Sequence, residues 1–308
     1  MAELVTAVIT TCKRENRILK RAVDSILAQT YRPLELIIVD DNRQEESELS
    51  KKLREYVQGL ESDIQVRYVP TGEGKHGAQA ARNTGIRESR GSFVAFLDDD
   101  DEWLPQKLKK QMELLSENKE AGMCYCEGYR VNENFEPPYI NLFHGACQQP
   151  SASYRELLRG DIIGTTSQAL IRREVFDRVG YFDERLPARQ DYEMWVRIAR
   201  DYPVVAVCEP LFNYHISRGG GNQITKKLDS CIKGHTLLYE KYKEDIDADP
   251  RSKFNVFFFL AHYYYFKGEK LKGIGLYVKA FFICPMAFWE KGIIKLGMIR
   301  EARKASGK

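Results

Sequence analysis

Short apolar runs alternate with amphipathic stretches through the first 130 residues. Leu4–Thr10 is rich in β-branched residues and predicts a strand. Ile18, Leu19, Ala22, Val23, Ile26 and Leu27 then recur at helical spacing, which predicts a helix over Glu15–Gln29. The pattern repeats: strand Leu34–Val39 and helix Glu46–Leu60, strand Ile64–Val69 and helix Ala78–Glu88, strand Phe93–Leu97 and helix Pro105–Ser116, then strand Gly122–Cys126. Strict alternation predicts an α/β fold, a mostly parallel sheet flanked by helices. The strands are apolar almost without interruption, as burial on both faces requires.

Beyond residue 130 the rhythm weakens. Residues 133–150 read as loop. A helix over Tyr154–Arg159, a strand near Gln168–Ile171, a helix over Asp191–Arg200 and short strands at Val204–Val207 and Leu211–Tyr214 follow. Arg218–Asn222 is glycine-rich, and from there to Arg300 the pattern is helical. These shifts predict a first region of residues 1–225 and a helical second region of residues 226–308.

Composition refines this picture. The 308 residues are 43% hydrophobic and 30% charged, the balance of a globular chain rather than a disordered or disulfide-rich one. The net charge of +3 hides an asymmetry: residues 251–308 hold 12 Lys/Arg against 3 Asp/Glu, a net of +9, leaving −6 for residues 1–250. The start, MAELVTAVITTCK, lacks the basic opening of a signal peptide, and no apolar run reaches the ~18 residues of a spanning helix. Seven dispersed cysteines suit a reducing compartment. Cys124 and Cys126 share one strand face and read as core. Together these features predict a cytoplasmic protein.

In open parallel sheets, ligands bind beyond the carboxyl ends of the strands. No G-x-G-x-x-G follows the first strand, which argues against a dinucleotide site, and Gly74-Lys75 lacks the earlier glycine and the following Ser or Thr of a P-loop. The strongest chemical signal is Asp98-Asp99-Asp100-Asp101 directly after Phe93–Leu97. Four adjacent carboxylates repel one another, and a hard divalent cation such as Mg²⁺ or Mn²⁺ would offset that repulsion. A solvated turn with a helix cap is the plain alternative. Asp40-Asp41 after the second strand suits hydrogen bonding to a ribose or base, or an Asx turn. Asp191 sits at a helix start, where an ordinary N-cap is the plain reading.

Taken together, VTAVITTCKRE, AVDSILAQTYRPLELIIVDDN, GAQAARNTGI, GSFVAFLDDDDEWLPQKL and RQDYEMWVRIA resemble, in order and spacing, the inverting family 2 glycosyltransferases of GT-A fold. The resemblance covers residues 4 to about 215. It implies that Thr10 and Thr11 approach the nucleotide, that Asp41 binds the base, and that Arg82 and Asn83 line the donor pocket. It also implies that Asp98 and Asp100 form the Asp-x-Asp motif on the ribose and on a Mn²⁺ or Mg²⁺ ion holding the diphosphate, with Asp99 beside them. Asp191 aligns with the general base. The implied donor is a nucleotide-sugar, typically a UDP-sugar, and the implied acceptor a saccharide or lipid-linked saccharide in surface polysaccharide biosynthesis. Three positions depart from the family: Cys12 stands where an aromatic is frequent, Lys13 where Asn is frequent, and Gln190 where Glu is common. The Gln-x-x-Arg-Trp motif of processive synthases is absent, which favours transfer of a single sugar. A nucleotidyltransferase on the same fold and a catalytically inactive scaffold are the alternatives.

His144 and His215 are further polar candidates near a metal or phosphate, with a structural or surface role as the plain reading. Residues 254–283 are similar to one tetratricopeptide-type helical hairpin. A single repeat cannot bury its apolar face alone. With aromatics concentrated in Phe254–Phe266 and basic residues after them, the region reads either as packing on the protein itself or as a contact with a membrane surface. No nucleic-acid recognition module accompanies the basic residues.

Overall fold

The computed structural model describes residues 2–14, 16–42, 47–72, 74, 76–133, 139–142, 151–216 and 228–291. His144, the glycine-rich Arg218–Asn222 and residues 292–308 lie outside them.

The first half forms as its periodicity dictates. Strands β1 (Val5–Thr11), β2 (Leu34–Asp40), β3 (Gln65–Pro70) and β4 (Phe93–Asp98) alternate with helices α1 (Asn16–Leu27), α2 (Glu48–Gln58), α3 (Ala78–Glu88) and, after the two-residue β5 (Glu102–Trp103), α4 (Lys107–Glu117). Helix α2 starts where the Ser47 side chain accepts the Ser50 N–H, the usual cap for an orphan donor. Strands β3-β2-β1-β4 are parallel neighbours, so their carboxyl ends share one edge.

The second half completes the sheet with reversed strands. Strand β6 (Met123–Asn132) is followed by β7 (Tyr139–Leu142), β8 (Ser151–Ala152), helix α5 (Tyr154–Arg159) and a 3₁₀ turn at Thr166–Gln168. Next come β9 (Leu170–Arg172), α6 (Arg173–Val179), α7 (Gln190–Asp201) and β10 (Val204–Ile216). The full order is β3-β2-β1-β4-β9-β6-β10-β5, with β7 on β6 and β8 on β10. Strand β9 runs antiparallel to both β4 and β6. The two short strands expected around Glu209-Pro210 are one strand, β10, whose register against β6 shifts on either side of Pro210. Proline lacks the ladder N–H, and bulges absorb the mismatch.

The core lies between sheet and helices: Val5, Ala7, Ile9, Leu36, Ile38, Phe93, Leu97 and Phe212 meet Leu19, Val23, Ile26, Leu108 and Leu115. Cys124 and Cys126 are buried in it. Cys208 is disulfide-bonded, which the reading of dispersed thiols in a reducing compartment did not anticipate.

The chain divides into two compact units: Met1–Leu157, Asp161–Arg185 and Gln190–Gly220 in one, Leu158–Gly160, Leu186–Arg189 and Gly221–Lys308 in the other. The second contains α8 (Leu228–Lys241), α9 (Lys243–Ala248), α10 (Pro250–Lys267) and α11 (Lys270–Ile283). Asp249 caps α10 by accepting the Ser252 N–H, Pro250 opens it, and Gly268 closes it at φ 102°. Helix α11 lies close on α10, because an added Cβ at Gly273 would stand 2.9 Å from the Ala261 carbonyl oxygen. Phe254, Phe257 and Ala280 form the small core between them. Among the described residues no single helix is long and apolar enough to cross a membrane.

Candidate active site

The parallel register brings the sequence-predicted residues to one edge. Thr10 lies opposite Asp98 across β1 and β4, and Thr11 lies opposite Asp40 across β1 and β2. Asp41, one residue past β2, accepts the Gly77 N–H at both carboxylate oxygens, 3.1 and 3.0 Å away, at the start of α3. This fixes the loop between β3 and α3 against β2. Lys13 holds a left-handed backbone, φ 52°, and its N–H donates to Asn42 Oδ1 at 2.8 Å. Asn adopts that conformation more readily than Lys.

The four consecutive aspartates have four different surroundings. Asp98 accepts from Arg82 Nη2 at 2.6 Å, from Thr165 Oγ1 at 3.1 Å and from Thr166 Oγ1 at 3.2 Å. Burial pushes its carboxyl up, but Arg82 and the two hydroxyls outweigh that and hold it below the ordinary carboxylate value. Asp99 is buried. Its oxygens accept from Thr11 Oγ1 at 2.7 Å and Arg14 Nε at 2.9 Å, and burial still leaves its carboxyl raised. Asp100 faces outward and meets Arg14 Nη2 at 3.0 Å. Burial, opposed by Arg14 and reinforced by Asp99 and Asp98, raises it to about 6. Asp101 is fully buried, and Ser167 Oγ donates to its Oδ2 at 2.6 Å. Burial, then Asp98 and Asp100, raises its carboxyl well above the ordinary value.

The hydroxyls come from a segment that sequence reading did not single out. In the 3₁₀ turn Thr166–Gln168, the Thr165 and Gln168 side chains form a capping box. Ser167 Oγ also accepts the Asp98 N–H at 3.1 Å. The signal available in the sequence is three successive hydroxyl residues, Thr165-Thr166-Ser167. Arg14 and Arg21 were likewise missed as counter-charges. Arg21 Nη2 donates to the Asp100 carbonyl at 2.7 Å, and its Nη1 to Glu133 at 2.9 Å. His215, at the end of β10, bridges Glu133 at 2.8 Å and Glu102 at 3.3 Å. The Tyr214 phenol is pushed up to about 12 by burial and by Asp101, Asp100 and Asp98, so it keeps its proton.

Arg82 and Asn83 separate. Arg82 reaches Asp98, with its guanidinium over the Phe182 ring. The Asn83 amide donates to the Phe182 carbonyl at 3.0 Å and Glu184 at 2.9 Å and accepts the Phe182 N–H at 2.9 Å. With 1% of its surface exposed, Asn83 anchors the segment before α7. Arg197 of α7 grips the same segment through the Val179 and Tyr181 carbonyls and pairs with buried Glu193. Asp191, in the first turn of α7, accepts the Tyr192 N–H at 2.8 Å. Trp195 Nε1 donates to the Gly164 carbonyl at 3.0 Å, which links α7 to the Thr165-Thr166 pair on Asp98.

Among the described residues, no group of three His, Cys, Asp or Glu side chains is arranged to enclose a metal ion. The residues present fit the other mode of binding a hard cation, one or two carboxylates completed by substrate phosphates. The Asp100 side chain is 36% exposed, and its carboxyl is raised first by burial and then by Asp99 and Asp98, with Arg14 opposing.

The sheet order, with its acidic motif at the end of β4, is that of a GT-A fold. The likeness extends to S. aureus TarS 1-349 in complex with UDP-GlcNAc (TM-score 0.63, 13% identity, 90% of this chain and 79% of that one). It extends also to the mannosyltransferase PcManGT of Pyrobaculum calidifontis in complex with GDP-Man and Mn²⁺ (TM-score 0.62, 16% identity, 100% and 84%). Residues 6–180 match the model of glycosyl transferase family 2, and the chain belongs to that family. It is 26% identical over 271 residues to the amylovoran biosynthesis glycosyltransferase AmsB of Erwinia amylovora, covering 85% of each chain. To the UDP-Glc:alpha-D-GlcNAc-diphosphoundecaprenol beta-1,3-glucosyltransferase WfgD of Escherichia coli it is 27% identical over 208 residues, covering 67% of this chain and 74% of that one. An uncharacterized glycosyltransferase of Rickettsia felis is 28% identical over 235 residues, but the chain spans only 37% of its length.

Proposed function

We propose that the protein is an inverting, non-processive glycosyltransferase. It moves one sugar from a nucleotide-sugar donor, a UDP-sugar by preference, to a hydroxyl of a saccharide or lipid-linked saccharide acceptor in surface polysaccharide biosynthesis. Residues 1–225 carry the chemistry, and residues 226–308 are a separate region. The carrying observation is the convergence of Thr11, Asp41, Asp98, Asp99 and Asp100 at one sheet edge, with Arg14 and Arg82 among them.

In this reading Asp41 and the Thr10-Thr11 end of β1 hold the nucleoside, and Asp98, kept ionised by Arg82, accepts from the ribose hydroxyls. Asp99 acts through Thr11 and Arg14 and positions them. Asp100, with Asp98, would hold Mn²⁺ or Mg²⁺, which when bound supplies Lewis-acid stabilisation of the leaving diphosphate. The acceptor oxygen attacks the anomeric carbon as the bond to the diphosphate oxygen breaks on the opposite face. Asp191 takes the hydroxyl proton, and the nucleoside diphosphate leaves with the bonding electron pair. General-base assistance of this kind contributes about 10²–10⁴-fold. The family names of AmsB and WfgD support the pathway class, and WfgD supports a lipid-linked acceptor.

The test is Asp191→Asn assayed for transfer and for nucleoside diphosphate binding. Transfer falls by at least about a hundredfold, while nucleotide affinity stays within a factor of two or so. Unchanged turnover in the variant would remove Asp191 from the chemistry.

A further inference from the structure

Among the described residues, the α10–α11 hairpin presents an apolar face that nothing covers. On α11 the side turned to α10 carries Gly273 and Ala280, both buried. The opposite side carries Leu271, Ile274, Val278 and Phe282, exposed by 87, 49, 49 and 76%. These four positions follow helical spacing and form one continuous stripe. Helix α11 is thus apolar on both sides, a composition that belongs to a helix buried all round, yet among the described residues only one side is covered. The stripe continues past the break at Cys284 onto the short helix Pro285–Lys291, where Met286 and Trp289 are 69 and 65% exposed.

The charge along this face selects the partner. Lys270, Lys272 and Lys279 flank the stripe, and all three are exposed. Across Arg251–Lys291 there are seven Lys/Arg and two Asp/Glu. A second protein copy would bring the same positive charge against itself, whereas an anionic lipid surface complements it. Geometry decides between lying on a bilayer and crossing it. The fourteen residues of α11 reach about 21 Å, short of the ~30 Å hydrocarbon core. The following helix turns away by 119°. Two short arms meeting at such a bend suit the interface plane, with the apolar side sunk among the acyl chains and lysines at the headgroups.

We propose that the stripe Leu271, Ile274, Val278 and Phe282, continued by Met286 and Trp289, is a docking surface for an anionic bilayer. The inference is independent of the catalytic reading, because it uses none of its residues.

The full chain is tested by flotation with vesicles of phosphatidylcholine alone and with one quarter phosphatidylglycerol. The protein floats with the anionic vesicles, and the double variant Leu271→Asp/Phe282→Asp reduces the bound fraction about tenfold. A second readout needs no disruptive substitution. The chain has three tryptophans; Trp103 and Trp195 are buried, so a blue shift of emission on adding anionic vesicles reports Trp289 and is lost in Trp289→Phe. Absence of flotation together with absence of the blue shift overturns the proposal. So does a double variant that floats like the parent. So does a stripe that, without vesicles, holds a dimer which the double variant dissociates in size-exclusion chromatography.

Discussion

Lys107 is a fully buried lysine at the start of α4, and its replacement by Met tests whether its charge is tolerated or needed. Its ammonium donates to Gln111 Oε1 at 2.8 Å and lies 4.2 Å from the Trp103 ring centroid. Burial lowers it to about 8, with Cys126 and Cys124 opposing. Against an unfolded value near 10.4, about 2.4 pH units separate the two states, or about 3 kcal/mol of lost stability at neutral pH. The sign follows from proton counts. Below pH 8 both states hold the proton and the cost is complete; between pH 8 and about 10.4 the unfolded chain holds more protons, so stability recovers as pH rises. In Lys107→Met that dependence is gone, while the Gln111 acceptor loses its partner at a cost of about 1–3 kcal/mol. The two effects nearly cancel at pH 7. Urea unfolding of both proteins at pH 7 and 9.5 isolates the titration, because other groups contribute equally to both. The parent gains about 2 kcal/mol on the variant between these pH values. Parallel pH profiles would show that the buried ammonium is not desolvated as argued.

Three further outcomes follow from the site and its frame. With Asp100 raised to about 6, protons compete with a cation below that pH, so the apparent Mn²⁺ affinity measured by calorimetry falls about tenfold from pH 7 to pH 5; a flat profile would remove Asp100 as a ligand. Arg14→Gln removes the guanidinium that lowers Asp99 and Asp100, so the acid limb of the activity profile moves to higher pH, and an unmoved limb would contradict the pairing. Gly91→Ala sets a Cβ 2.6 Å from the Leu4 carbonyl oxygen at the start of β4, and thermal unfolding should report a loss of about 1–3 kcal/mol.

The sheet was legible wherever local periodicity decides structure. Helix Ala78–Glu88 has the bounds expected of it, and the first four strands differ from expectation by a residue or so at their ends. What periodicity does not encode is pairing between distant segments. Nothing local in Leu170–Arg172 says that this strand enters between β4 and β6 in the opposite direction. The same limit applies to side chains. Arg82 and Asn83 are neighbours in sequence, but a helix turns them about 100° apart, so one meets Asp98 and the other meets Phe182. Among the four aspartates, the chain direction distributes neighbours to different partners, and only the fold reveals that Asp101 belongs to Ser167. The cluster of chemistry was readable; the assignment of each carboxylate required Thr11, Arg14 and Thr165–Ser167, which lie up to 88 residues away.

The late arrival of β9 bears on synthesis of the chain. When a ribosome has produced residues 1–130, the acidic turn exists, but Thr165, Thr166 and Ser167 do not, and the edge of β4 that β9 will occupy is open. The edge of β4 therefore stays unpaired until at least residue 172 has emerged, and Asp98 and Asp101 lack their hydroxyl partners until residues 165–167 are made. Exposed edges of this kind invite pairing with other chains, and domains generally emerge and fold in order of synthesis. The turn's negative charge, offset only in part by Arg14 and Arg82, lies at the end of that edge, and like charges along a strand end repel a second copy.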